Sequence, residues 1–511
     1  MKKIIKEYKE QIRYFLENKT YMAILIIVAI LSYGFTITHF AIGVDDLCFD
    51  RYVTGTYILS AKRWGTWALY NILNIKSFSP FWLELIVTIF MMLIAIVICS
   101  FLRKNLGDKL KKETYLITSS ILISNPISYY FYIYESTNLA LAISNLLVII
   151  FGIIIFENYF NGKNKRTINL ICGVLLSVPI SMYESCAQTF MVFLFLAVFI
   201  KLLDKKSNTK NLIKYFILNI ILLAIGILFY YLIGKLIIMY LEKNKMLQKS
   251  FANQKIIWNF SSFKSLPFLG KIIYLLKVIG EIPDTEPVAY FELMILSLIL
   301  IISEFIIAFK ENKVFRLLMA LGLVTVNFAL IILQGTVMLR TEFSWILSSS
   351  LISAYIYEGL SNKKVLKIIS IIVFIWLIII QTHTINNLFY KEYKRYEYEK
   401  QVANDIGLSI TKNNDYKTKP VIFINLEQKN NDKGLVFKWG MTSFLEYGTE
   451  ITKFINNFGY NLINGSLAEH REAVSEYKNL SIEERKQTII ETNKYIIVNL
   501  ENYDIENVNL D

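Results

Sequence analysis

The chain has 511 residues, 55% of them hydrophobic, and a formal net charge of +13. Its apolar residues gather in blocks of roughly 17–25, the length of a bilayer-spanning helix, which excludes an ordinary soluble multidomain protein. The basic residues crowd into short loops between these blocks, as in RKNLGDKLKKE from Arg103, while the stretch after 386 leans acidic. The charge therefore marks membrane topology, and no nucleic-acid partner is expected.

In chain order, a basic N-terminal stretch leads into YMAILIIVAILSYGFTITHF with no A-x-A cleavage signal, so this block reads as a retained first span. Spans are expected near 21–39, 81–101, 115–131, 138–156, 168–182, 186–202, 215–239, 289–309, 315–334, 343–358 and 366–384. Alternate loops hold about 25 Lys and Arg in about 75 residues, against about 12 in about 110 on the other side. That asymmetry puts the N-terminus in the cytoplasm, and eleven spans then put the C-terminal segment outside.

The first outer segment opens with GVDDLCFDRY. A helix beginning at Asp46 would put Asp46 and Asp50 on one face. In the plain structural reading Asp45 caps that helix and Asp50 pairs with Arg51 or Lys62. One Asp suffices as a cap, so the second points to a general base for an acceptor hydroxyl. Further along, in AKRWGTWALYNIL, Arg63 stands beside Trp64 and Trp67. That is either an interfacial anchor or a cation with a sugar-stacking wall.

The third span ends in PISYYFYIYES and the fifth in PISMYES. This short echo reads as convergent use of Pro kinks and interfacial Tyr and is no proof of duplication. It sets Glu135 and Glu184 at the outer mouth, either as contacts to a sugar or as helix ends facing water. Tyr130, Tyr132, Tyr134 and Tyr183 read as belt residues before ligands. Within residues 240–288, apolar residues at helical spacing with Lys264, Lys271 and Lys277 between them suggest an interfacial helix. Arg340, in QGTVMLRTEFSW, is a lone basic residue on the side poor in them; it suits a phosphate or pairs with Glu342. The four Cys show no metal or redox spacing, and the three His are scattered. With spans expected to be apolar at their centres and charges at one mouth, an interfacial enzyme is favoured over a transporter.

After the last span, PVIFINL and KYIIVNL read as buried strands. YKEYKRYEYEKQVANDIGLSITK and EYGTEITKFINNFGY read as helices. The expected fold is thus a mainly α, polytopic membrane domain of about 11 spans (1–385) followed by a small extracytoplasmic α/β domain (386–511).

Taken in order, DDLCFD, AKRWGTWALYNIL, PISMYES, VMLRTEF and the run NNLFYKEYKRYEYEKQVANDI into PVIFINL resemble the type II O-antigen glucosyltransferases of the Gtr group, in the GT-C glycosyltransferase superfamily. The resemblance implies a GT-C-like domain in a bacterial cytoplasmic membrane. It further implies a polyprenyl-phosphate sugar, usually glucose, as donor, a cell-envelope glycan as acceptor, membrane lipid as a partner, and inversion at the anomeric centre. Asp45 or Asp46 would be the catalytic base. Asp50, Arg63, Trp64, Glu135, Tyr183, Glu184 and Arg340 would surround the sugar-phosphate, Arg340 with Arg63 holding the phosphate. Asp pairs in related enzymes sometimes hold a divalent cation, and the sequence leaves that open. The family's expected Tyr-Gln is Tyr183-Glu184 here, which leaves the role of Glu184 open. The alternatives weighed are a polyprenyl-linked glycan polymerase or ligase and a lipid-linked sugar flippase or transporter.

Overall fold

The computed structural model describes residues 2–502 apart from 44, 49–54, 78, 163–164, 204–207, 249–260, 283–285, 312, 336–337, 413–414, 425–443 and 445–447. Two compact units emerge: Met1–Thr38 with Phe49–Asn387, and His39–Cys48 with Leu388–Asp511.

The first unit is helical. An amphipathic α1 (Lys2–Glu17) precedes α2 (Lys19–Thr38), then two short helices, α3 (Thr56–Ser60) and α4 (Trp64–Ile72), and α5 (Trp82–Leu106). Next come α6 (Lys112–Ser124), α7 (Tyr129–Tyr132), α8 (Glu135–Phe160), α9 (Arg166–Leu175), α10 (Ser177–Met182), α11 (Cys186–Leu202) and α12 (Thr209–Lys243). After α13 (Ser261–Lys264) and α14 (Phe268–Gly280) follow α15 (Pro287–Glu311), α16 (Val314–Val326), α17 (Ala329–Gln334), α18 (Phe343–Leu360) and α19 (Lys364–Thr411).

Six of these, α2, α5, α8, α12, α15 and α19, are long and apolar enough to cross a bilayer. The count of eleven is not reached by that measure, for a physical reason: three expected spans are broken helices. Pro126, which lacks an N–H to donate, interrupts the third between α6 and α7, where Asn125 Oδ1 accepts from Ile127 N at 3.1 Å. The fifth divides into α9 and α10, the latter carrying Pro179, and the ninth into α16 and α17 at Asn327–Phe328. Among unbroken spans, α18 is diluted by serines: Ser344, Ser348, Ser349, Ser350 and Ser353 are all buried. It packs closely on α6, which buries Ser119, Ser120 and Ser124. Small side chains let two helices approach where no hydrophobic force drives them together. As expected, residues 268–280 form an amphipathic helix, with Phe268, Leu269, Ile273 and Leu276 exposed.

Buried carboxylates stand toward the ends of the apolar helices. Glu84 in α5 is buried and accepts from Thr36 Oγ1 at 2.9 Å. Glu292 in α15 accepts from Gln381 Nε2 at 2.5 Å. Glu304, also in α15, is fully buried against Arg316 of α16 at 2.6 Å. Each such carboxylate is tolerated because a donor from another segment meets it.

The second unit carries a four-stranded sheet in the order β2-β1-β4-β3, with β1 Pro420–Ile424, β2 Ile463–Asn464, β3 Ile489–Glu491 and β4 Ile496–Asn499. The two expected strands are β1 and β4, which pair in parallel from Val421↔Ile496 to Ile424↔Asn499. Their continuous apolar runs match burial on both faces, and Ile422, Ile424, Ile490 and Ile497 share a core with Ala473 of α21 (Leu467–Asn479). A Ser466–Glu469 capping box starts α21. The expected helix between the strands is α20 (Gly448–Asn456). One boundary differs: the last expected span and the polar helix after it form one 48-residue helix, α19. No Pro or Gly stands between them to break it.

His39–Cys48 packs with this second unit. Asp45–Cys48 form a single 3-10 turn, and Asp50 and Arg51 lie outside the described residues. The shared face of Asp46 and Asp50 thus lies outside the described residues.

Candidate functional site: two arginines stacked on two tyrosines

The site grows out of the two broken spans. Helix α4 is tied to both of their ends. Thr66 Oγ1 donates to Met182 O at 2.7 Å at the end of α10, and Tyr70 OH donates to Glu135 O at 3.4 Å at the start of α8. Gly65 makes the first approach possible: a Cβ there would stand 2.3 Å from Ser181 Oγ and 2.9 Å from Val178 O. A larger residue would push α4 away from α10 and carry Arg63, the residue preceding α4, with it.

Arg63 reaches the end of the fifth span. Its Nε and Nη2 donate to Glu184 Oε2 at 3.2 and 3.1 Å, and its guanidinium lies over the Tyr183 ring, 4.5 Å from the centroid. Tyr230 of α12 donates to the other oxygen, Glu184 Oε1, at 3.3 Å. Burial alone would lower the Arg63 pKa; the Glu184 carboxylate charge and the hydrogen bond to it outweigh that, so Arg63 is raised and stays charged.

Arg340 sits in a 3-10 turn, Leu339–Thr341, ahead of α18. Its guanidinium lies over the Tyr134 ring at 4.4 Å, at the end of the third span, and its charge is near enough to Arg63 to oppose it. The two Tyr-Glu-Ser echoes thus each offer a tyrosine face to one arginine. The alternative pairing of Arg340 with Glu342 is not formed: Glu342 is fully buried and its oxygens are met by Gln188 Nε2 at 3.1 Å and Thr341 Oγ1 at 3.2 Å.

The structure therefore brings Arg63, Tyr183, Glu184 and Arg340 together. Glu135, buried in the first turn of α8, follows directly on the Tyr134 that Arg340 covers. Trp64 is half-buried in the first turn of α4, with its indole N–H buried and unmet among the described residues. Asp46 lies in the second unit, 2% exposed, where its Oδ2 accepts from Gly43 N at 3.1 Å. Asp45 shares that turn, but its side chain is outside the described residues. Among the described residues, no group of three or more His, Cys, Asp or Glu converges on a metal position, and we derive no metal-dependent step. Sequence reasoning missed Tyr230 and Gln188. Tyr230 is one aromatic among many in its span, whereas Gln188, a lone amide in CAQTFMVFLFLAVF, was a readable signal.

A family model described as glucosyl transferase GtrII matches residues 34–356, a stretch that contains the acid pair and both arginines. The chain belongs to the GtrII glucosyl transferase family. No curated protein and no solved structure matches it. The protein is accordingly a membrane glycosyltransferase, a glucosyltransferase of the O-antigen type, and the readings as a polymerase, ligase or transporter give way to that.

Proposed function

We propose that this GtrII protein moves glucose from a polyprenyl-phosphate donor to a cell-envelope glycan at the outer face of the cytoplasmic membrane, within a GT-C-like domain. The observation that carries the reading is the pair Arg63 and Arg340, each over a tyrosine ring at 4.5 and 4.4 Å from the centroid, with the Arg340 charge acting against that of Arg63. Two like charges are held together at a cost, and an anion between them offsets it. A guanidinium fork suits phosphate oxygens in particular.

In the reaction, an acceptor hydroxyl oxygen attacks the anomeric carbon. The bond from that carbon to the phosphate oxygen breaks, and the phosphate leaves with the electron pair. Arg63 and Arg340 neutralise the charge that grows on it, where a preorganised cation is most effective. The hydroxyl proton passes to Asp46 or Asp45. A single displacement inverts the anomeric configuration. Tyr183, Trp64, Glu135 and Glu184 are assigned to the sugar, and the lipid chain lies among the spans.

The test is transfer by the purified full chain in bilayer discs, with an O-antigen acceptor. Radiolabelled polyprenyl-phosphate glucose should label the acceptor and UDP-glucose should not; labelling by UDP-glucose alone overturns the reading. Asp46→Asn or Asp45→Asn should cut turnover by ~10²–10⁴ with insertion intact, the range of a lost general base. Near-normal turnover in both makes the acid pair structural.

A further inference from the structure

The ninth expected span breaks at Asn327–Phe328 without a proline or glycine. At such a break, carbonyls lose their partners one turn on, and in a membrane protein something other than water must meet them. Here side chains do so. Gln188 Nε2 of α11 lies 2.9 Å from Val326 O and 2.8 Å from Asn327 O. Trp345 Nε1 of α18 donates to Asn327 O at 2.8 Å, and Ser348 Oγ donates to Asn327 Oδ1 at 3.0 Å. Gln188 Nε2 also lies 3.1 Å from Glu342 Oε2. One amide thus joins the helix break to the residue two positions after Arg340.

Both Glu342 oxygens accept. Gln188 Nε2 shares two hydrogens among three acceptors, Glu342 Oε2 among them. Thr341 Oγ1 shares its one hydrogen between Met338 O at 2.7 Å and Glu342 Oε1 at 3.2 Å. Burial pushes the Glu342 carboxyl up to about 8, against the opposing bonds from Gln188, Thr341 and Ser344.

We propose that Gln188 and Glu342 are positioning residues for the donor: together they clamp the Asn327 break to the start of α18 and so fix where the Arg340 guanidinium stands over Tyr134. The proposal rests on the reading of Arg340 as a phosphate ligand. It gives the break a purpose, because a continuous helix would leave Gln188 with no carbonyls to grip and the Arg340 turn with no anchor to α11.

A double-mutant cycle tests it, read as equilibrium binding of radiolabelled polyprenyl-phosphate glucose to the full chain in bilayer discs. Gln188→Met should weaken binding about tenfold, and on an Arg340→Ala background it should add less than about twofold, since the two residues act as one unit. Full additivity, or no loss in the single variant, overturns the proposal. If Gln188→Met does not insert, Gln188→Asn, one methylene shorter, serves in the same cycle. Glu342→Leu should weaken binding and Glu342→Gln should rescue it, because the amide oxygen still accepts from Gln188. Equal loss in both Glu342 variants contradicts the clamp. Unchanged binding by Arg340→Ala alone has a different meaning: it removes the phosphate reading itself and the clamp with it.

Discussion

Two arginine–glutamate pairs in the helical unit use the same chemistry for opposite ends. Arg316 and Glu304 form a two-pronged pair, Nε to Oε2 and Nη2 to Oε1, both at 2.6 Å, and Tyr355 OH donates to Glu304 Oε1 at 2.5 Å. The Glu304 side chain is 0% exposed. Two guanidinium nitrogens and both carboxylate oxygens are engaged, so the pair staples α15 to α16. Arg63 and Glu184 are built more loosely. Both Arg63 bonds fall on one oxygen, at 3.1 and 3.2 Å, and the side chains are 20% and 37% exposed. A second cation, Arg340, stands near. A pair that is half-solvated, singly accepted and beside a like charge can exchange its anion; one that is dry and doubly bonded cannot. The contrast separates a structural ion pair from a binding one better than residue identity does.

The largest expected effect lies in the buried pair. Glu304→Ala leaves a desolvated guanidinium uncompensated, which costs about 3–5 kcal/mol. Thermal unfolding in detergent should show that loss, while the folded fraction keeps its donor affinity; a stable protein with weakened binding would break the comparison. Next come the arginines of the loose pair. Arg63→Ala and Arg340→Ala should each lower turnover by ~10²–10³, the scale of a removed transition-state donor, with little change in melting temperature. Arg340→Lys keeps the charge but not the planar fork and should fall about tenfold or more. Near-normal rates in Arg340→Lys would reduce Arg340 to a point charge.

The smallest effect sharpens the picture. Glu184→Gln removes the carboxylate that competes for Arg63 yet keeps an oxygen to accept its hydrogen bond. Affinity for polyprenyl phosphate should rise a few-fold, roughly the worth of a part-exposed ion pair. A tenfold loss instead would mean that Glu184 holds Arg63 in place for the phosphate and does not compete with it.

Much of the fold was readable because apolar blocks and basic loops are averages over many residues. The helices, the two central strands and the kinks at PIS follow from such patterns. What escaped depends on single residues or on distant ones. A hydropathy window dilutes one Glu, so Glu84, Glu292 and Glu304 looked like noise in apolar spans. Asn327 breaks a helix only because Gln188, Trp345 and Ser348 wait for its carbonyl and side chain, and local sequence holds no trace of them. Arg63 and Glu184 are 121 residues apart. The site residues were legible as types, a lone Arg or a Glu after Tyr, but not as partners. That is why Arg340 was offered Glu342, two residues away, when the structure stacks it on Tyr134.

The central claim, that Arg63 and Arg340 share one phosphate, is tested most directly by equilibrium binding of sugar-free polyprenyl phosphate to the wild type, to each single alanine variant and to the double variant in bilayer discs. Each single variant should bind at least about tenfold more weakly, and the double should lose less than the product of the two, because neighbours on one ligand do not act independently. Wild-type affinity in either single variant, or losses that multiply in full, would contradict a shared phosphate.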